Sequence, residues 1–335
     1  MANGEIDWAD FGWQGVHLRV PDEWNLGKVD GDAKSGYARL DDAEIVRAEL
    51  EWRNSPDKGR TRPVSDLVDR YLDNLSKKAE KTDTPFSVTR RANFLRDKRW
   101  LEGSEYEAFT WQADFLAYNL ARICPDCGRI ILMRILAKSG ENFEQLADEV
   151  FRSLVCHDQD GQSFWSVYGM SFSVPDDLVL SKHELKSGHI QLMFEKKHRN
   201  CRVQRISMAQ MLLKNATLAE WYPNFFRKSL RDFNYELKET VVGDHPGLRI
   251  TGRPKSRWRQ LLRPLPLLNP RPRQYMDALA WHCEEGNRIC VVEHLFKKEK
   301  EREDLTDRLS AAYVCHSKET EINARSDVKL AAGAE

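Results

Sequence analysis

Val16, Leu18 and Val20 alternate with His17 and Arg19, the period of two that predicts a strand with one covered face. Pro21-Asp22-Glu23 closes it as a turn, and a second strand is predicted over residues 36–40. The third is plainer, with Val46, Ala48, Leu50 and Trp52 on one side and Arg47, Glu49, Glu51 and Arg53 on the other. That alternation marks a sheet with one wet and one packed face. The period then changes. Val64, Leu67, Val68, Tyr71, Leu72 and Leu75 recur at helical spacing and make one apolar stripe, with Pro63 where a helix start tolerates it. Strands are expected at residues 86–95, 106–123 and 129–137. A closing helix over 142–157 carries Phe143, Leu146, Ala147, Val150, Phe151 and Leu154, with Asn142 and Gln145 spaced to cap it.

The pattern then recurs. "GVHLRVPDEWNL" from Gly15 returns as "GMSFSVPDDLVL" from Gly169, and residues 120–157 align with 279–316 with 13 identities, both ending in Val-Cys-His. A self-match of this length implies two copies of one structural unit. The expected division is 1–160 and 161–317, with a polar tail, 318–335, read as disordered. In the second copy strands are predicted at 170–174 and 190–194. A helix is expected from Ser207, with Gln210 at capping-box spacing, and a final helix over 303–314. The order βββ-α-βββ-α predicts an α+β class, two tandem antiparallel sheets flanked by helices.

This order, with Gly-x-x-x-x-Val-Pro-Asp opening the first strand of each copy, resembles the PsbP-like fold. That α-β-α sandwich is shared by an extrinsic subunit of photosystem II, a Ran-GTPase-binding protein and many small bacterial proteins. The resemblance implies a binding or accessory role without an active site. It assigns a function to no residue of this chain.

Composition narrows the classes. A chain of 335 residues suggests two domains, and 41% hydrophobic with 31% charged residues describes an ordinary soluble protein. No run approaches the roughly 20 apolar residues of a membrane span. The acidic start lacks a signal segment, so a cytoplasmic location is expected. Fifty-two basic residues balance 52 acidic ones, which removes any global field toward nucleic acid or membrane. Ten Trp read as core and turn packing, and seven Cys as reduced thiols or metal ligands rather than disulfides.

"ICPDCGRI" carries the strongest chemical signal. Cys-Pro-x-Cys-Gly between two strands is the knuckle of zinc ribbons, in which a tight turn aims two thiolates at one metal. The usual second Cys-x-x-Cys is missing. From Arg129 a strand runs out roughly 30 Å and the following helix returns roughly 24 Å, bringing its end back toward the knuckle. Cys124, Cys127, Cys156 and His157 thus form a candidate set for structural zinc. In the second copy Gly286 replaces Cys127, and His282 beside Cys283 offers the substitute, giving His282, Cys283, Cys315 and His316. Neighbours on a regular helix point about 100° apart, so Cys156 and His157 share a metal only where the helix frays. Buried core thiols are the plain alternative, and lone Cys290 reads that way. Redox chemistry would place Cys-x-x-Cys at a helix N-terminus, whereas a strand follows here.

Two basic loops with Trp add a candidate anion site: Arg99 and Trp100 in the first copy, and Arg257, Trp258 and Arg259 in the second. Arg beside Trp suits a phosphate with a stacked base, or a lipid headgroup. A solvated hairpin loop explains the same residues. P-loop, dinucleotide-binding, nucleophile-elbow and zincin motifs do not occur. The chain therefore reads as a non-enzymatic binding or scaffold protein with a protein partner, in which structural zinc joins hairpin to terminal helix. A metal-dependent enzyme at the Cys/His corner and a binder of nucleic acid or lipid headgroups are the alternatives.

Overall fold

The computed structural model describes residues 6–55, 62–158, 160–255 and 274–316. The chain divides into two units between Tyr168 and Gly169.

In the first unit β1 (Trp8–Trp13) and β2 (Val16–Pro21) make a hairpin through Gln14 and Gly15, both at positive φ. This left-handed pair is the turn geometry that matches strand twist. Then follow β3 (Asn25–Gly31), β4 (Ser35–Asp41), β5 (Val46–Arg53), α1 (Val64–Thr82), β6 (Ser87–Thr89), β7 (Glu105–Gln112), β8 (Leu116–Ile123), β9 (Ile130–Ala137), α2 (Glu144–Arg152) and β10 (Gln162–Val167). A seven-stranded antiparallel sheet runs β3-β4-β5-β9-β8-β7-β6, while β10 pairs with β1 beside β2. The stripe on α1 settles Val64, Val68 and Leu72 over Phe109 and Ala121. No local side chain caps α1. Glu105 Oε1 accepts from the Val64 N–H at 2.6 Å, so a carboxylate from β7 satisfies a first-turn donor. Helix α2 buries Ala147, Val150 and Phe151, the last against Phe94.

The second unit holds β11 (Met170–Pro175), β12 (Val179–Lys186), β13 (His189–Lys196), β14 (Arg199–Ser207), α3 (Ala209–Leu212), α4 (Leu218–Phe225), α5 (Arg227–Leu230), β15 (Phe233–Val242), β16 (His245–Pro254), β17 (Tyr275–Cys283), β18 (Arg288–Phe296) and α6 (Leu305–Ala311). Its seven-stranded sheet runs β12-β13-β14-β18-β17-β16-β15. The three short helices cover Leu248, Ile250, Ala278 and Ala280 with Trp221, Tyr222 and Phe226. The capping box predicted at Ser207 and Gln210 is instead Thr217 with Glu220, one element later.

The expected class is overturned. The described residues are predominantly β, in three antiparallel sheets of four to seven strands, and not two sheets of the order βββ-α-βββ-α flanked by helices. Of the described helices only α1 exceeds nine residues. The discrepancy has physical causes. Asn25–Gly31 holds two glycines and little apolar surface, so it carries no period of two, although pairing with β4 makes it a strand. The stretch read as one helix from Ser207 breaks into three short ones, because Thr217 takes an extended backbone and caps a new helix, and Phe226 departs from helical geometry before α5.

Candidate metal centres

Each unit gathers four Cys and His side chains at one end of its sheet. In the first, Cys124 follows directly on β8, and Cys127 lies in the turn leading to β9. Gly128 closes that turn at φ +71°, donating its N–H to the Cys124 carbonyl, while the Cys124 N–H donates to the Arg129 carbonyl. The other two donors come from beyond α2. That helix stops at Arg152, short of the expected His157, and Ser153 Oγ turns back to the Val150 carbonyl. The chain then extends. Val155 forms a two-bond bridge with His17 of β2, N–H to O at 2.8 and 3.0 Å, and bends at Cys156. Because Cys156 and His157 stand outside the helix, the 100° separation of helical neighbours does not apply to them.

The four donors converge. Cys124, Cys127, Cys156 and His157 place their ligand atoms within 4.8 Å of one another, with Cys127 Sγ to Cys156 Sγ at 3.6 Å and Cys124 Sγ to His157 Nδ1 at 3.8 Å. Arg129 braces the assembly, donating to the carbonyls of Cys156 at 3.0 Å, Ala33 at 3.1 Å and Gln14 at 3.4 Å. The hydrogen bond from Cys156 holds Cys127 down at about 5, and that same bond, with burial, pushes Cys156 up. One thiolate is thus stabilised by its neighbour's proton, the place a cation would take.

The second unit repeats the placement with a different ligand set. Val314 bridges Ser171 of β11, which sets Cys315 and His316 beside Cys283 at the end of β17. Cys283 Sγ and Cys315 Sγ each lie 3.3 Å from His316 Nδ1. The fourth member is His245, whose Nε2 is 3.2 Å from Cys315 Sγ, and not His282. Strand geometry explains this correction. Side chains of successive residues on β17 take opposite faces, so His282 points away from Cys283. The register Gly247↔Trp281, carried on by two residues, sets His245 opposite Cys283. Beyond the ligands, Glu285 lies 3.9 Å from His245 Nδ1, and Arg288 donates to the carbonyls of Gly169 and Gly286. A hydrogen bond from buried Cys290 holds Cys315 down at about 4, while burial first of all lifts Cys283 to about 12. Both groups offer the donor set and spacing that hold a metal ion.

The other predicted residues fare differently. Exposed Arg99 is paired with Asp97, Nη2 to Oδ2 at 2.8 Å, and the Trp100 ring faces the Arg122 guanidinium at 5.6 Å. Arg257, Trp258 and Arg259 lie outside the described residues, as does the tail 318–335.

One row of residues escaped the sequence reading. Cys201, His294 and Asp277 sit abreast on β14, β18 and β17, the nucleophile, base and acid types in order. Chemistry does not follow from it. All three are buried, Cys201 is pushed up to about 12 by burial, and neither His294 nitrogen has a hydrogen-bond partner. The Asp277 carboxylate is engaged by Arg249, Arg302 and Thr306. A nucleophile needs the opposite shift and an adjacent base.

No protein family matches the chain. No curated protein matches it in sequence. Among solved structures it is similar to the immunity protein TplEi of the T6SS of Pseudomonas aeruginosa. With the "L" peptide bound, that protein shows 11% identity and a TM-score of 0.38 over 93% of this chain and 99% of that one. Its apo form shows 13% identity and a TM-score of 0.36 over 92% and 98%. The PsbP-like resemblance also reappears, in the cyanobacterial PsbP (CyanoP) of Synechocystis sp. PCC 6803. There the identity is 16% and the TM-score 0.32, over 46% of this chain and 95% of that one.

Proposed function

We propose that this chain is a non-enzymatic binding protein of two related domains, each fastened by a structural zinc ion. Cys124, Cys127, Cys156 and His157 hold the first ion, and His245, Cys283, Cys315 and His316 the second. The observation that carries the reading is the convergence of four donors in each unit to within 4.8 Å.

Spacing supports zinc in particular. Tetrahedral zinc with bonds of about 2.3 Å to sulfur and 2.0–2.1 Å to nitrogen has ligand–ligand edges of about 3.8 Å for two thiolates and about 3.6 Å for thiolate and imidazole. The separations of 3.6 and 3.8 Å in the first group, and 3.2 and 3.3 Å in the second, lie close to those edges. Four protein donors fill the shell and leave no position for a substrate, which is how structural sites differ from catalytic ones. The ion would tie the strand end, through Cys124 or Cys283, to the segment after the last helix, through Cys156-His157 or Cys315-His316.

A protein partner fits the exposed apolar side chains of the second unit. Met208, Met211 and Phe225, on and beside α3 and α4, stand 53%, 60% and 42% exposed. Flexible thioethers around an aromatic ring suit a protein surface better than a charged ligand.

Metal analysis of the purified chain tests the reading. Two zinc ions per chain are expected, Cys127→Ser removing one and His245→Ala the other. Metal-free protein with undiminished thermal stability would overturn it.

A further inference from the structure

The eight donors are not equally guarded. Cys127 is the one exposed member of the two groups, whereas Cys124, Cys156, His245, Cys283 and Cys315 are buried. Its sulfur lies 3.6 Å from that of Cys156, and the turn that carries it faces open space: a side chain at Gly128 would meet nothing within 4 Å. The second unit lacks this arrangement. Gly286 occupies the aligned position, and a Cβ there would meet Arg288 Nε at 2.4 Å and the Cys315 carbonyl at 3.0 Å. One centre therefore offers an accessible sulfur backed by a second, and the other does not.

We propose that the first centre is an oxidant-responsive joint, in which a hydroperoxide converts Cys127 and Cys156 into a disulfide that replaces the metal. This rests on the metal reading above. The exposed Cys127 thiolate attacks the peroxide, the O–O bond breaks, and a sulfenic acid forms as water or an alcohol leaves. The Cys156 thiolate then attacks that sulfur, forming the S–S bond and expelling hydroxide, which takes a proton to leave as water. Two electrons pass from sulfur to peroxide oxygen and two protons are consumed. The zinc ion, having lost two of its four ligands, departs unchanged in charge. The new bond joins the same two segments, the turn after β8 and the bridge after α2, so the clasp stays closed. The buried second centre keeps its ion.

The test uses the full chain, zinc-loaded and treated with hydrogen peroxide. Release is followed with a chromophoric chelator, bonds are mapped by mass spectrometry of unreduced peptides, and melting is recorded before and after. Loss of one of two zinc ions, a Cys127–Cys156 disulfide and reversal by dithiothreitol plus zinc support the proposal. The oxidised, metal-free first unit should also melt above its reduced, metal-free form. Cys283→Ser, which disables the second centre, should leave this response intact. Equal release from both centres, or release without the Cys127–Cys156 bond, overturns it. Protein that carries no zinc when purified would defeat the metal reading instead. In that sample the mapped disulfide would still support the pairing of these two thiols, and its absence would overturn it.

Discussion

His245 Nε2 lies 3.2 Å from Cys315 Sγ, although 70 residues of chain separate them. The imidazole comes from the first residue of β16, just past the turn in which Gly243 takes φ +58°, and the register with β17 carries it to Cys283. A ligand delivered by strand pairing has different consequences from one delivered by sequence proximity. His245→Ala is expected to remove one zinc ion and to destabilise the second unit by at least about 4 kcal/mol, as loss of a structural metal does. His282→Ala should leave the metal content unchanged. Metal analysis with urea unfolding of both variants checks the pair.

This residue also shows what the sequence conveys and what it withholds. Cys124 and Cys127 are legible because a knuckle is a local turn, and Cys156-His157 because chain order returns them to it. His245 has no such local signature. It belongs to the second site only through the pairing of β16 with β17, a long-range fact that neither spacing nor periodicity encodes. The strand β5 was equally plain, since its buried Ala48, Leu50 and Trp52 alternate with charged neighbours, whereas β3 was hidden by its glycines. The sequence pattern extends α2 too far because the apolar stripe runs on through Leu154. In the structure that side chain is still buried, but after the helix has ended.

Arg129 should matter to stability without being a ligand. Its guanidinium satisfies carbonyls from three separate segments, those of Gln14, Ala33 and Cys156. Arg129→Met keeps the stem and removes the donors, and is expected to cost about 2 kcal/mol in urea unfolding. The aligned Arg288, which donates to Gly169 and Gly286, should behave alike.

Copying the first knuckle into the second unit should fail. Gly286→Cys supplies the thiol that the sequence comparison finds missing, but its Cβ would press on Arg288 and on the Cys315 carbonyl. The variant is expected to lose about 1–3 kcal/mol of stability and to bind no more zinc than the parent.

Acid should weaken the second unit through His294. Burial lowers this imidazole from 6.5 to about 4, with Arg199 on β14 acting in the same direction and Asp277 on β17 opposing. The unfolded chain therefore takes up the proton first as pH falls. The stability conferred by the neutral ring is complete above about pH 6.5, and it declines as pH drops to about 4, by about 3 kcal/mol. His294→Leu should flatten that part of the difference between pH 7 and pH 4, measured by chemical unfolding of parent and variant under identical metal conditions. A parent and variant with the same pH dependence would remove His294 as its source.

X-ray absorption at the zinc edge tests the central claim most directly, because it reads the ligands themselves. Two zinc ions per chain are expected, with a first shell averaging between Cys3His and Cys2His2, sulfur near 2.3 Å and nitrogen near 2.0–2.1 Å. In the Cys127→Ser variant the averaged shell should shift toward Cys2His2. A shell of oxygen donors, or purified protein without zinc at either centre, would contradict the central claim.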